Sequence, residues 1–74
     1  MLKDLLNDLD VLSEYDKENY QQLFYKKIEM VSKKGTSEGA ALIDGQWIPK
    51  SQMRCDFDKN LYVTLWMYSK LKEV

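Results

Sequence analysis

GAALIDGQWIPKSQMRCDF, residues 39–57, is the stretch that decides how this chain folds. Ala40 to Ile43 and Gln46 to Ile48 are short apolar runs on either side of Asp44-Gly45. An Asp-Gly pair suits a two-residue type I′ turn, so the spacing predicts a β-hairpin. Pro49 has no N–H to give to a ladder, which ends the hairpin there or places it at a sheet edge. Gln52 to Phe57 then alternates: Met53, Cys55 and Phe57 on one side, Gln52, Arg54 and Asp56 on the other, as in a strand with one buried face. Residues 40–43 and 46–48 are therefore expected to pair antiparallel, with a third strand after them.

The flanks read as helix. Leu2, Leu5, Leu6, Leu9 and Leu12 recur at helical spacing, opposite Lys3, Asp4, Asn7 and Asp8. Ser13 with Asp16 three residues on has the form of a shortened capping box, and Tyr20, Leu23, Phe24, Ile28 and Val31 continue an apolar stripe to Lys33-Lys34-Gly35. This predicts a second helix and a helical hairpin over 1–34; one long helix over 3–34 is the competing reading. Gly35 to Gly39 reads as a flexible link. Leu61 to Val63 fits a fourth strand, and Thr64 can cap a helix over 65–73 with Leu65, Tyr68 and Leu71 on one face; a strand running on through Met67 also fits the alternation. The expected class is α+β: an N-terminal helical hairpin packed on a three- to four-stranded antiparallel sheet spanning 40–63, with a C-terminal helix. The expected core includes Leu5, Leu9, Phe24, Ile28 and Cys55.

The 74 residues suit one domain over 1–74, and a chain this short buries only about 60% of the surface its unfolded form exposes. With 45% hydrophobic and 31% charged residues it has the balance of a globular protein. Two Trp, five Tyr and two Phe offset the thin core, and dimerisation is a further source of stability at this size. Residues 1–20 hold six acidic and two basic groups and residues 21–34 one acidic and four basic, a layout that complements helix dipoles. The N-terminal segment lacks the continuous apolar run of a signal peptide or a membrane span, so a cytoplasmic protein is the expectation.

Composition also narrows the chemistry. There is no histidine and one cysteine, which removes the usual hydrolytic triads and dyads, an intramolecular disulfide and most zinc sites. Cys55, among apolar neighbours, reads as a small buried hydrophobe. Asp4 and Asp8 lie one helical turn apart and Asp10 is near, but a solvated acidic face explains them better than a metal site. Asp56, Asp58 and Asn60 match the first three ligand positions of an EF-hand loop, yet Leu61 stands where the turn needs glycine and Met67 where it needs glutamate. Gly35 and Gly39 lack the Gly-Lys-Ser/Thr of a phosphate loop. No cofactor or metal is expected. Lys26, Lys27, Lys33, Lys34, Lys50, Arg54 and Lys59, interspersed with Tyr25, Trp47 and Tyr62, form the mixture of cations and aromatics that single-strand nucleic-acid binders use.

The run from Ala41 to Gln52, with Trp47-Ile48-Pro49-Lys50-Ser51 at its centre, followed by Val63 to Trp66, resembles a pattern in short uncharacterised proteins of phages and other mobile elements. The resemblance covers about half of the chain and leaves the N-terminal half outside. It implies a non-enzymatic protein that occludes a surface of a host complex, as anti-CRISPR and other inhibitors of bacterial defence do. The alternatives are an accessory single-stranded nucleic-acid binder and a homodimeric assembly protein joined by its leucine stripe. The surface expected to meet a partner is Trp47, Lys50, Arg54 and Tyr62, with Asp4, Asp8 and Asp10 as the alternative acidic surface.

Overall fold

Asp44 and Gly45 both take positive φ, 49° and 83°, so the expected hairpin turn forms where the sequence puts it. In the computed structural model, which describes residues 2–71 and the side chains of 5–71, Ala40–Ile43 (β3) and Gln46–Pro49 (β4) pair antiparallel, with Leu42 opposite Trp47 and Ala41 opposite Ile48. Ahead of them run a helix, Leu2–Asp8 (α1), and two strands, Tyr20–Gln22 (β1) and Ile28–Val31 (β2). Met53–Cys55 (β5), Leu61–Thr64 (β6) and a second helix, Leu65–Leu71 (α2), follow. The strands form two three-stranded antiparallel sheets, β2-β3-β4 and β1-β6-β5.

The N-terminal helical hairpin does not exist. Ser13 and Asp16 do meet, hydroxyl to carboxylate at 3.0 Å, but they close a turn that leads into a single-turn 3-10 helix, Lys17–Asn19, and then into β1. Tyr20, Ile28 and Val31 are β-favouring types, and pairing lets them complete two sheets, which outweighs a helical spacing that the same positions also satisfy. Phe24, expected in the core, is 80% exposed on the connection between β1 and β2, and Ile28 is half-buried against the core. The long-helix alternative fails for the same reason.

The leucine stripe is likewise shared between two conformations. Leu5, Leu6 and Leu9 bury the inner side of α1 and the residue after it, whereas Leu12 is buried from an extended segment. Val11 bridges Cys55 in parallel; the Leu12 N–H donates to the Cys55 carbonyl at 2.7 Å and the Cys55 N–H to the Asp10 carbonyl at 3.1 Å. Leu5, Leu6, Leu9 and Leu12 are thus all buried in the core of one chain.

The inner faces of both sheets and α1 share one core: Leu5, Leu6 and Leu9 meet Ala41, Ile43 and Ile48 from one sheet and Met53, Cys55, Leu61 and Val63 from the other. The Cα radius of gyration, 11.2 Å, matches the value of about 11 Å for a compact chain of this length, so the two sheets are one body. Thr64 caps α2 as expected, its hydroxyl accepting the Met67 N–H at 3.1 Å. Met67 is the side chain that α2 buries, while Leu65 is about half exposed. Glu73, the expected helix end, lies outside the described residues. The expected strand alternation stops at Cys55: Asp56 turns inward and Phe57 is 80% exposed.

Candidate binding surfaces

Alternation along β2, β3 and β4 decides what the first sheet shows to solvent. Ala41, Ile43, Ile48 and Val31 point into the core, so the residues between them point out. Met30 is opposite Leu42 and Leu42 is opposite Trp47. These three therefore make a continuous apolar row across all three strands, 57% exposed at Met30, half-buried at Leu42 and 50% exposed at Trp47. Ala40 and Pro49 form the next row of the same face. None of the five carries a charge. A bulge between Ile28 and Met30, which leaves Glu29 as the extra residue, is what brings Met30 onto this face.

The second sheet shows a different chemistry. Tyr62 lies opposite Gln22 on one side and Arg54 on the other, and Tyr20 lies opposite Thr64. All five are half-buried, on the side away from Val63, Leu61 and Met53. The Arg54 guanidinium stands 5.7 Å from the Tyr20 ring centre, donates to the Ser51 and Met53 carbonyls at 3.1 and 2.7 Å, and Lys17 stands 5.8 Å from the Tyr62 ring centre. Partial desolvation works against the Lys17 charge, but Glu14 at 3.4 Å and the nearby Tyr62 and Asp56 outweigh it and raise its pKa.

Of the four residues expected to meet a partner, Trp47 lies on the apolar face, and Arg54 and Tyr62 are cross-strand neighbours on the other sheet. The fourth, Lys50, is not on a surface at all. It is 2% exposed, and its ammonium donates to the Asp8 carboxylate at 2.9 Å, the Thr36 carbonyl at 3.0 Å and the Lys33 carbonyl at 3.1 Å. Three acceptors use all three ammonium hydrogens, so no donor of the buried group is left unpaired. Pro49 is the cause: it ends β4, and the single-turn helix Lys50–Gln52 that follows turns position 50 inward.

Of the alternative acidic surface, Asp8 is drawn inward in the same way. Asp8 is held by Lys50, and its Oδ2 also accepts the Gly35 N–H at 3.0 Å. The Lys50 hydrogen bond lowers the Asp8 pKa most; burial opposes it, and the Gly35 N–H and the Lys50 charge add to the lowering. Asp10 is exposed, and the Asp4 side chain lies outside the described residues. Among the described residues no group of three His, Cys, Asp or Glu side chains is placed to hold a metal ion. The partial EF-hand match has another use: the Asp56 carboxylate accepts the backbone N–H of Asp58 and Asn60 at 2.9 and 2.8 Å and the Asn60 amide at 3.1 Å. Burial raises the Asp56 pKa, but these donors and the Lys17 charge outweigh it and leave it lowered. Cys55 is buried, and desolvation pushes its thiol pKa up, the opposite of an activated nucleophile.

Comparison with protein-family models, with curated proteins and with solved structures finds no significant match to this chain. No described helix is long and apolar enough to cross a membrane. The surface residues that sequence reasoning missed are Met30, Leu42, Tyr20 and Lys17. Leu42 and Trp47 were reachable, because a two-residue turn fixes which positions lie opposite each other. Met30, Tyr20 and Lys17 were hidden by the helical reading of 13–34.

Proposed function

We propose that this chain is a small non-catalytic protein that binds and occludes a surface of a larger host complex, with the outer face of β2-β3-β4 as its contact and Trp47 as its anchor. The observation that carries this reading is the uncharged row Met30, Leu42 and Trp47. Interface centres are depleted of charge and enriched in Trp and Met, and a rigid sheet presents such a row with little ordering cost on binding. Absence of histidine from the sequence and the inactive setting of Cys55 support a non-catalytic role. Host-cytoplasm action and a mobile-element source follow the resemblance of residues 41–52.

Capture with tagged protein from host cytoplasm tests the reading. The wild type retains a specific complex, and Met30→Ser with Trp47→Ser loses it while keeping the wild-type unfolding midpoint. Retention by the folded double variant would contradict the proposal. Sedimentation separates self-association: a wild-type dimer that the double variant converts to monomer would make the partner a second copy, and the proposed occlusion of a host complex would fail.

A further inference from the structure

We infer that the outer face of β1-β6-β5 is a platform for single-stranded nucleic acid, separate from the Trp47 face. Two juxtapositions of a cation and an aromatic ring define it, Arg54 with Tyr20 and Lys17 with Tyr62, and a third, Lys70 4.9 Å from the Trp66 ring centre, lies on the helix that follows. All three belong to this sheet, the turn that leads into it and the helix that follows it. The five-residue apolar face of the other sheet holds neither a cation nor a second ring.

Tyr62 pairs with Gln22 and Tyr20 with Thr64, so the tyrosines are diagonal neighbours on adjacent strands, about 7–8 Å apart at the backbone. Two bases of an extended strand span such a spacing. Rings on a sheet reach only bases freed from a duplex, whereas the cations beside them match phosphates of any sequence. Each cation now rests near a ring; on binding, a base takes that place and the flexible side chain turns to a phosphate. Gln22, on the same face, offers an amide to base edges. The chain as a whole carries −1 and Glu14 pairs with Lys17 at 3.4 Å, so a phosphate reaches Lys17 by displacing that carboxylate. Binding is therefore local and strongly salt-dependent.

The test is fluorescence anisotropy of a labelled oligothymidylate of about 12 nucleotides, a length within the range of one small binding face. Wild-type protein should bind it in low salt at least tenfold tighter than a duplex of equal length, with log affinity falling against log salt at a slope of about −1.4, for the two cations on the face. Tyr20→Leu with Tyr62→Leu should weaken binding about tenfold or more. Arg54→Gln should make the slope shallower by about 0.7 and keeps the test decisive if the tyrosine pair fails to fold. Trp47→Ser should leave the affinity unchanged, which separates this platform from the proposed protein contact. No binding in low salt, equal binding of the duplex, or unaltered affinity and salt slope in the folded variants would overturn the inference.

Discussion

Asp8 and Lys50, 42 positions apart, meet at 2.9 Å in an ion pair whose side chains are 8% and 0% exposed. The pair ties the last residue of α1 to the turn after β4, and through the Gly35 N–H and the Lys33 and Thr36 carbonyls it also orders the segment between β2 and β3. What the sequence presents as a flexible link is a fixed corner.

Lys50→Ala should destabilise the fold by about 3 kcal/mol, because it leaves the Asp8 carboxylate without its counter-charge. Combining it with Asp8→Asn should cost less than the sum of the two single changes, measured by urea unfolding. Additive losses would mean that the pair is not coupled.

Stability should fall in acid. Asp8 and Asp56 have lowered pKa values in the folded protein, so the unfolded chain takes up their protons first as pH falls. Their contribution is complete above the ordinary aspartate value of about 4 and is lost as pH drops through the lowered folded values. Asp56→Asn should flatten this loss in thermal unfolding followed across that range. An unchanged pH profile would contradict the assignment for Asp56.

Gly39 has φ +88°, and a Cβ there would lie 2.8 Å from the Ser32 carbonyl oxygen and 2.7 Å from its hydroxyl. Gly35 has a similar φ, +84°, with open space around it. Gly39→Ala should therefore lower the unfolding midpoint more than Gly35→Ala, the difference being the steric part beyond the shared backbone strain.

Ile48→Ala should cost about 2–5 kcal/mol, since Ile48 is 1% exposed beneath the hairpin, whereas Phe24→Ala should cost well under 1 kcal/mol. Denaturant titration of the two variants separates this fold from a helical hairpin, in which Phe24 would be the costly loss.

The parts of the fold legible in the sequence are those fixed by short-range chemistry. Asp44-Gly45 demands a particular turn, and Thr64 has a hydroxyl in reach of the N–H three residues on. Even there one role was hidden: the Asp44 carboxylate accepts the Lys26 and Lys27 N–H groups, at 3.0 and 2.9 Å, and so fastens the β1–β2 connection to the hairpin tip. Residues 13–34 misled because Tyr20, Leu23, Phe24, Ile28 and Val31 satisfy a helical period while their pairing partners lie far along the chain, Thr64 for Tyr20 and Ile43 for Ile28. Lys50 misled for a related reason. Its acceptors come from α1 and from the Lys33–Thr36 turn, and no local pattern announces a lysine that is buried with its counter-charge.

The proposal that the Met30, Leu42 and Trp47 row contacts a protein is tested most directly by photo-crosslinking in the producing cell. Benzoylphenylalanine is placed at Trp47 and, as a control, at the exposed Glu14. The account predicts one discrete protein adduct from position 47, lost when Met30→Lys is added to the folded protein, and no such adduct from position 14. Absence of an adduct at position 47, or the same adduct from both positions, would contradict it.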